Sequence, residues 1–365
     1  MKVKLSLLNA KGLVLLALTL LFLLGLGGGW LWWNESTAAP EQETGSANQR
    51  QRTVLIHIPT GTSAEQIGED LHQAGLIRSP QAWKLWTRWL TIQHRQGGFQ
   101  AGTYRISPNE PLQAIAEKIW TGDVVQTGFT IPEGWSLRQM AAYFERSGFF
   151  KAIDFLKAAA EIPRDRYSWL PQGLPHLEGF LYPDTYQLPL DQITPASVVQ
   201  IMLDRFQQVA LPIYQEHQNQ ARFSLLQWVT LASIVEKEAV IPKERPLIAG
   251  IFLNRLQQNI PLGSDPTVEY ALGIQQTPDQ PLTLAQVKIP SIYNTYLNAG
   301  LPPTPIASPG LASLEAVLSP EKTDDLYFVA RYDGTHVFSR TLAEHEAAQR
   351  LIRDQREAQQ PSLAR

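Results

Sequence analysis

Gly12 to Trp33 reads GLVLLALTLLFLLGLGGGWLWW, an apolar run with no charged residue in 22 positions. A helix of that length rises roughly 33 Å, about the thickness of a bilayer's hydrocarbon core, and inside that core a helix satisfies its own backbone polar groups. A single transmembrane helix is therefore expected over 12–33, preceded by a cytoplasmic tail, 1–11. Lys2, Lys4 and Lys11 precede the run, and Glu35, Glu41 and Glu43 follow it. Lysine before the span keeps the N-terminus in the cytoplasm and sends the rest of the chain outside. Trp30, Trp32 and Trp33 fall where aromatic side chains line the far interface. A cleaved signal peptide is the competing reading, but the run is long for one, and Ala38 and Ala39 make a poor cleavage site. The expected localisation is the cytoplasmic (inner) membrane, with the folded part extracytoplasmic or periplasmic.

The absence of cysteine suits an oxidising compartment, where stray thiols are a liability. It also removes disulfides, thiolate metal ligands and a cysteine nucleophile. A net charge of −3 gives no electrostatic footprint for nucleic acid, so none is expected as a partner. With 365 residues, 44% of them hydrophobic, there is material for two folded units beyond the membrane segment.

Residues 34–52 are polar and aperiodic, the composition of a flexible tether. Over 53–125, two strand-like runs, VLIHI and FQAGTYRI, each lead through a turn into an amphipathic helical pattern, and a small α/β module is expected. Trp83, Trp86 and Trp89 between them, spaced i, i+3, i+6, are expected to pack into its core. A larger mixed α+β domain is expected over 126–352. It opens with another strand-to-helix unit through Pro132-Glu133-Gly134, passes a Pro- and Tyr-rich loop, LPHLEGFLYPDTYQLP, becomes mainly helical to Gln258, and includes a hairpin around Asp333-Gly334. Residues 353–365 form a C-terminal tail. The fold class is α+β.

One helix in that domain carries the candidate chemistry. Ser224 with Gln227 makes a capping box, and Ile241-Pro242 marks the far end. Between them the sequence is apolar on nearly every side, the pattern of a buried helix, yet it closes on Glu236-Lys237-Glu238. Residues two apart on a helix point about 200° apart, so the two glutamates face different ways. Glu238 continues the row of Leu231, Ile234 and Val235, and it sits in the last turn. Desolvation and the negative end of the helix dipole both favour its protonated form, which is what a general acid requires. The competing structural reading is a solvated cluster of Lys237, Glu238, Lys243, Glu244 and Arg245. Ser233 and Lys237 miss the serine acyl-transfer spacing by one residue, and no zinc, nucleotide or calcium motif occurs. No metal and no cofactor are expected.

The stretches TIPEGWSLRQMA, LEGFLYPDTY, LASIVEKEA, FLNRL, SDPTVEY and YNTYLNAGLPPTPIASPG occur in this order, with LYFVA near the end. A chain carrying them resembles the endolytic murein transglycosylases of the MltG (YceG-like) type, membrane-anchored enzymes that cut peptidoglycan glycan strands. The resemblance covers most of the chain after the tether. It implies that residues 53–125 are a LysM-like glycan-binding module and that 126–352 is the catalytic domain. It further implies non-hydrolytic cleavage of the MurNAc-β-1,4-GlcNAc bond with formation of 1,6-anhydroMurNAc ends, terminating or trimming nascent strands, with peptidoglycan synthases as partners.

Related transglycosylases carry their acid as a glutamate before a small residue. Glu238-Ala239 fits this better than Glu236-Lys237, so Glu238 is the expected acid/base, with Glu236 as the fallback or as a residue that orients substrate or pairs with a basic group. Asn254, Arg255, Ser264, Asp265, Thr267, Tyr293, Asn294, Thr295 and Tyr296 are the polar residues of the matching motifs and the expected sugar contacts. Each has a structural alternative; SDPT, for example, is also a helix start with Asp265 as N-cap and Pro266 at the first helical position. Thr304 stands where the family commonly has glycine. Two rival functions remain open: a non-catalytic peptidoglycan-binding scaffold, and a hydrolase with Asp265 as second carboxylate.

Overall fold

The structure, a computed structural model, describes residues 10–40, 52–93, 97–218, 222–277, 280–331 and 333–359. Lys2, Lys4, Glu41 and Glu43, on which the orientation argument rests, lie outside the described residues, as does most of the expected tether. The chain divides into two compact units, Met1–Thr127 with Gln187–Gln192, and Gly128–Tyr186 with Ile193–Arg365.

The first unit begins with helix α1 (Ala10–Thr37), which runs on through Asn34–Thr37, the start of the expected tether. Its stretch Leu15–Thr37 is long and apolar enough to cross a membrane. Then come β1 (Val54–Ile58), α2 (Ala64–Gln73), α3 (Pro80–Gln93), β2 (Gly102–Ile106) and α4 (Leu112–Thr121). The two strands pair antiparallel, Val54 opposite Ile106 and Ile58 opposite Gly102. Ile67, Leu71, Trp83, Tyr104, Ile115 and Ile119 fill the core beneath them. Ser63 caps α2 by accepting from the Gln66 backbone N–H, while the Gln66 side chain turns to Asp70, so the cap is not reciprocated. The three tryptophans of α3 part company. Trp83 is fully buried, Trp86 half-buried, and Trp89 46% exposed. A row spaced i, i+3, i+6 drifts about 120° round the helix, so its last member slides off the core face.

β3 (Gln126–Thr130) pairs with β4 (Thr185–Pro189), and the boundary between the units falls within both strands. β4 occupies the end of the segment expected to be a loop. Its three alternating residues Thr185, Tyr186 and Gln187 are too short a run for periodicity to show.

The second unit contains α5 (Leu137–Arg146), α6 (Ala152–Ala160), α7 (Pro195–His217), α8 (Leu225–Glu238), α9 (Arg245–Gln257), α10 (Asp265–Leu272), α11 (Leu284–Val287), α12 (Leu311–Leu318), the hairpin β5 (Tyr327–Ala330) and β6 (His336–Ser339), and α13 (Leu342–Gln359). Helix α8 is its axis. The complete Ser224–Gln227 capping box starts it, Trp228 through Val235 are all buried, and α12, α9 and α10 pack around it. Trp228 donates its indole N–H to the Leu314 carbonyl of α12 at 2.9 Å.

The loop LEGF locks against the same helix at Gly179, whose φ is +82°. A Cβ there would stand 2.4 Å from Cβ of Pro305 and 3.0 Å from Cγ1 of Val229. Gly179→Ala therefore carries both a backbone and an overpacking penalty. It is expected to lower stability by about 2–4 kcal/mol, measured by denaturant unfolding.

Candidate active site

Helix α8 ends at Glu238, with Ala239 as C-cap. Eight successive buried residues carry the helix through the core, and its half-buried last turn presents two carboxyl groups on nearly opposite faces. They meet different company, as the 200° spacing requires.

Glu236 is held in an ion pair. Its side chain is 7% exposed and pairs with Arg245, Oε1 to Nη2 at 3.2 Å. Its other oxygen accepts from the Gly310 backbone N–H at 3.1 Å and from the Ser313 hydroxyl at 2.7 Å. Of the roles expected for it, pairing with a basic group is the one the geometry supplies. The Glu133 carboxyl lies beside this cluster, close enough that a Cβ on Gly310 would come within 2.0 Å of it. Partial desolvation of this otherwise exposed residue, and then the neighbouring Glu236 charge, push its pKa up, with Arg245 opposing.

Among the described residues, none forms an ion pair with Glu238 as Arg245 does with Glu236. Its Oε1 accepts a 2.6 Å bond from the Ser264 hydroxyl. Burial pushes its pKa up to about 7; the Ser264 bond pulls the other way, Asp265 and Glu269 add to the rise, and the Arg255 charge opposes it. A carboxyl in that state holds its proton near neutrality and releases it readily, which suits a group that must be acid and base in turn.

The SDPT loop is built to aim Ser264. Gly263 donates to the Thr295 carbonyl, and the Ser264 N–H donates to the Thr295 hydroxyl at 3.0 Å. The Thr267 hydroxyl donates to the Ser264 carbonyl at 2.6 Å and meets the Thr295 hydroxyl at 2.9 Å. Ser264, not Asp265, is the N-cap of α10, and its side chain makes no capping bond because it is directed to Glu238. Thr267 and Thr295 are buried, as is Asn294, whose amide donates to the Val287 and Ile289 carbonyls. These three, expected from the sequence as sugar contacts, hold the loops instead. A polar residue type does not reveal whether its side chain turns inward.

Asn254 and Arg255 are half-buried and also bond within the protein. The Asn254 amide donates to the Thr323 and Asp325 carbonyls, and the Arg255 guanidinium to those of Leu326, Pro261 and Leu262. They fasten α9 to the segment that enters β5, although the Arg255 charge still acts on Glu238. Asp265, Tyr293 and Tyr296 keep partial or open exposure. The Tyr296 hydroxyl donates to Asp265 at 2.7 Å, and Tyr293 shares a 2.8 Å bond with Thr304. Thr304, at the position where glycine is common, thus gains a use for its hydroxyl.

A cleft of about 200 Å³ is lined by Lys237 and Pro266, the sequence neighbours of Glu238 and Asp265, together with Arg138, Glu269, Tyr270 and Ile306 among others, though by neither Glu238 nor Ser264. A larger cavity of about 480 Å³ includes Trp228 and Asn254 but neither Glu238 nor Ser264. The larger cavity takes no residue of the last turn of α8 into its lining, whereas the smaller cleft takes Lys237.

The sequence model of the YceG-like family matches residues 56–351. The chain belongs to the YceG-like family. It is 32% identical to an endolytic murein transglycosylase of Bacillus subtilis over 88% of this chain and 89% of that one. It is 29% identical to an endolytic murein transglycosylase of Streptococcus pneumoniae D39 over 81% of this chain, spanning 59% of that longer protein. A solved yceG-like protein of Listeria monocytogenes is 31% identical, with a TM-score of 0.56, over 81% of this chain and 99% of that structure.

Two carboxyl groups of this YceG-like chain, Glu133 and Glu178, have raised pKa values although the sequence does not single them out. Glu178 is 1% exposed, accepts from the Leu137 N–H at 2.9 Å and the Tyr270 hydroxyl at 3.0 Å, and is pushed by burial up to about 8. The available signal was a lone acid in an apolar run, HLEGFLY, the same kind of signal that singled out Glu238.

The Ser264 bond gives a separate test of the site. It favours the carboxylate, so Ser264→Ala is expected to raise the pKa of Glu238 and to move the alkaline limb of the pH–rate profile to higher pH. A profile left in place would show that the bond does not reach the titrating group.

Proposed function

We propose that this chain is a membrane-anchored, endolytic peptidoglycan transglycosylase with Glu238 as its single acid/base. The observation that carries the reading is the Glu238 carboxyl itself, desolvated, bonded to Ser264, and free of the kind of ion pair that fixes Glu236. The names of the Bacillus and Streptococcus relatives support the same reaction class.

Protonated Glu238 donates to the bridging oxygen as the MurNAc C1–O bond breaks, and the GlcNAc end leaves as an alcohol. The resulting carboxylate then takes the proton of the MurNAc C6 hydroxyl as that oxygen bonds to C1, closing the 1,6-anhydro ring. The proton count returns to its start, no water is consumed, and no second catalytic carboxylate is needed. Helix α1 anchors the enzyme from Leu15 to Thr37, with the N-terminus cytoplasmic. The unit around β1 and β2 acts as a LysM-like glycan-binding module. Cleavage from this position terminates or trims strands as synthases extend them.

Incubation of the protein with purified sacculi in heavy-oxygen water, followed by mass spectrometry, tests the reaction. Anhydro ends without label are expected. Labelled reducing ends would instead assign a hydrolase, and binding without new ends a scaffold.

A further inference from the structure

In the first unit, the end of α1 is joined directly to α3. The Trp33 ring lies 6.1 Å from Trp86, which stacks on Trp89 at 4.6 Å. Arg78, just before α3, donates two bonds to the Ala39 carbonyl, at 3.0 and 2.8 Å, and Ser36 and Thr37 are buried. The distance between α3 and the anchor is thus set by side-chain contact rather than by the length of chain between Thr37 and Arg52.

Beside this junction α3 presents an uncovered apolar edge. Leu85, Trp89 and Ile92 are 53%, 46% and 69% exposed. At spacings of four and three residues they lie within a stripe about 60° wide. Exposed Arg88 borders the stripe on one side. Large apolar side chains with a flanking cation are the makings of an interfacial helix, and tryptophan favours that depth.

We infer that α3 lies in the outer interface of the bilayer, with Leu85, Trp89 and Ile92 among the lipid headgroups and upper acyl chains and Arg88 at the phosphates. The inference rests on the anchoring role proposed for α1. If Trp33 sits at the far interface, Trp86 is within one ring separation of the same depth. Ile92 is then only six residues, roughly 9 Å along the helix, from Trp86. The glycan-binding unit is accordingly seated on the membrane and does not swing on a tether.

The cysteine-free chain permits a direct test with the full-length protein. Single variants Leu20→Cys, Ile92→Cys and Glu117→Cys are labelled with an environment-sensitive fluorophore and reconstituted into nanodiscs containing phosphatidylglycerol. The Ile92 label is expected to be quenched by aqueous iodide roughly five-fold less than the Glu117 label, and to emit at shorter wavelength. Leu20 should be fully protected. Protection at Leu20 with free quenching at Ile92 overturns the inference and leaves the anchor standing. Free quenching at Leu20 overturns both. Protection at Ile92 that disappears when each disc holds one protein copy assigns the stripe to a second chain, and that also overturns it.

Discussion

Glu238→Gln is expected to reduce strand cleavage by about 10³-fold or more while leaving the protein folded and able to bind sacculi. Glutamine keeps the shape and accepts the Ser264 bond, but it can neither give nor take the proton, and general acid–base contributions of about 10²–10⁴ are lost with that capacity. The same variant should be more stable than its parent in alkaline solution. Burial raises the Glu238 pKa from the ordinary 4.5 to about 7 in the folded state, so the native state binds the proton more tightly than the unfolded chain between those values. Stability falls as pH rises through that window, by at most about 3 kcal/mol from this group. Unfolding of the two proteins should therefore coincide near pH 4 and separate in favour of Glu238→Gln by pH 8. A variant that keeps its activity removes Glu238 from the mechanism. Loss of activity in Glu236→Gln alone would transfer the role two residues back.

Glu236→Ala carries the second large effect, and on a different quantity. It leaves the Arg245 guanidinium, 12% exposed at its side chain, without its carboxylate, and it strips the acceptor from Gly310 N–H and the Ser313 hydroxyl. Breaking a buried pair from one side costs about 3–5 kcal/mol. The expected outcome is a marked fall in unfolding midpoint at every pH near neutrality. Gly310 and Ser313 belong to the start of α12, so the packing of α12 on α8 loosens with it. An unchanged midpoint would mean that the cluster is solvated and weak.

The contrast between these glutamates shows what the sequence carries. The apolar pattern from Leu225 to Val235 sufficed to place the helix in the core, and the two-residue spacing sufficed to separate the carboxyls. Attachment to an apolar row did not by itself distinguish them, since Val229, Ala232 and Ser233 behind Glu236 are as buried as Leu231, Ile234 and Val235 behind Glu238. The difference lies in partners distant along the chain: Ser264 for one, Arg245, Gly310 and Ser313 for the other. No local pattern encodes those distances. For the same reason Thr267, Asn294 and Thr295 read as sugar contacts, and only the fold shows their polar atoms turned into the loops that aim Ser264. The motif order nevertheless marked the segments that meet at the site: PEGW, LEGF, EKEA, SDPT and the loop through Pro305 and Gly310 all converge on the end of α8 or on its flanks.

The proton on Glu238 is the claim on which the mechanism stands, and its titration can be observed directly. Carbon-13 NMR of the glutamate side-chain carboxyls, with Glu238→Gln used to assign the resonance, should show a midpoint at about 7. A midpoint near 4.3, that of an ordinary solvated glutamate, would contradict the account.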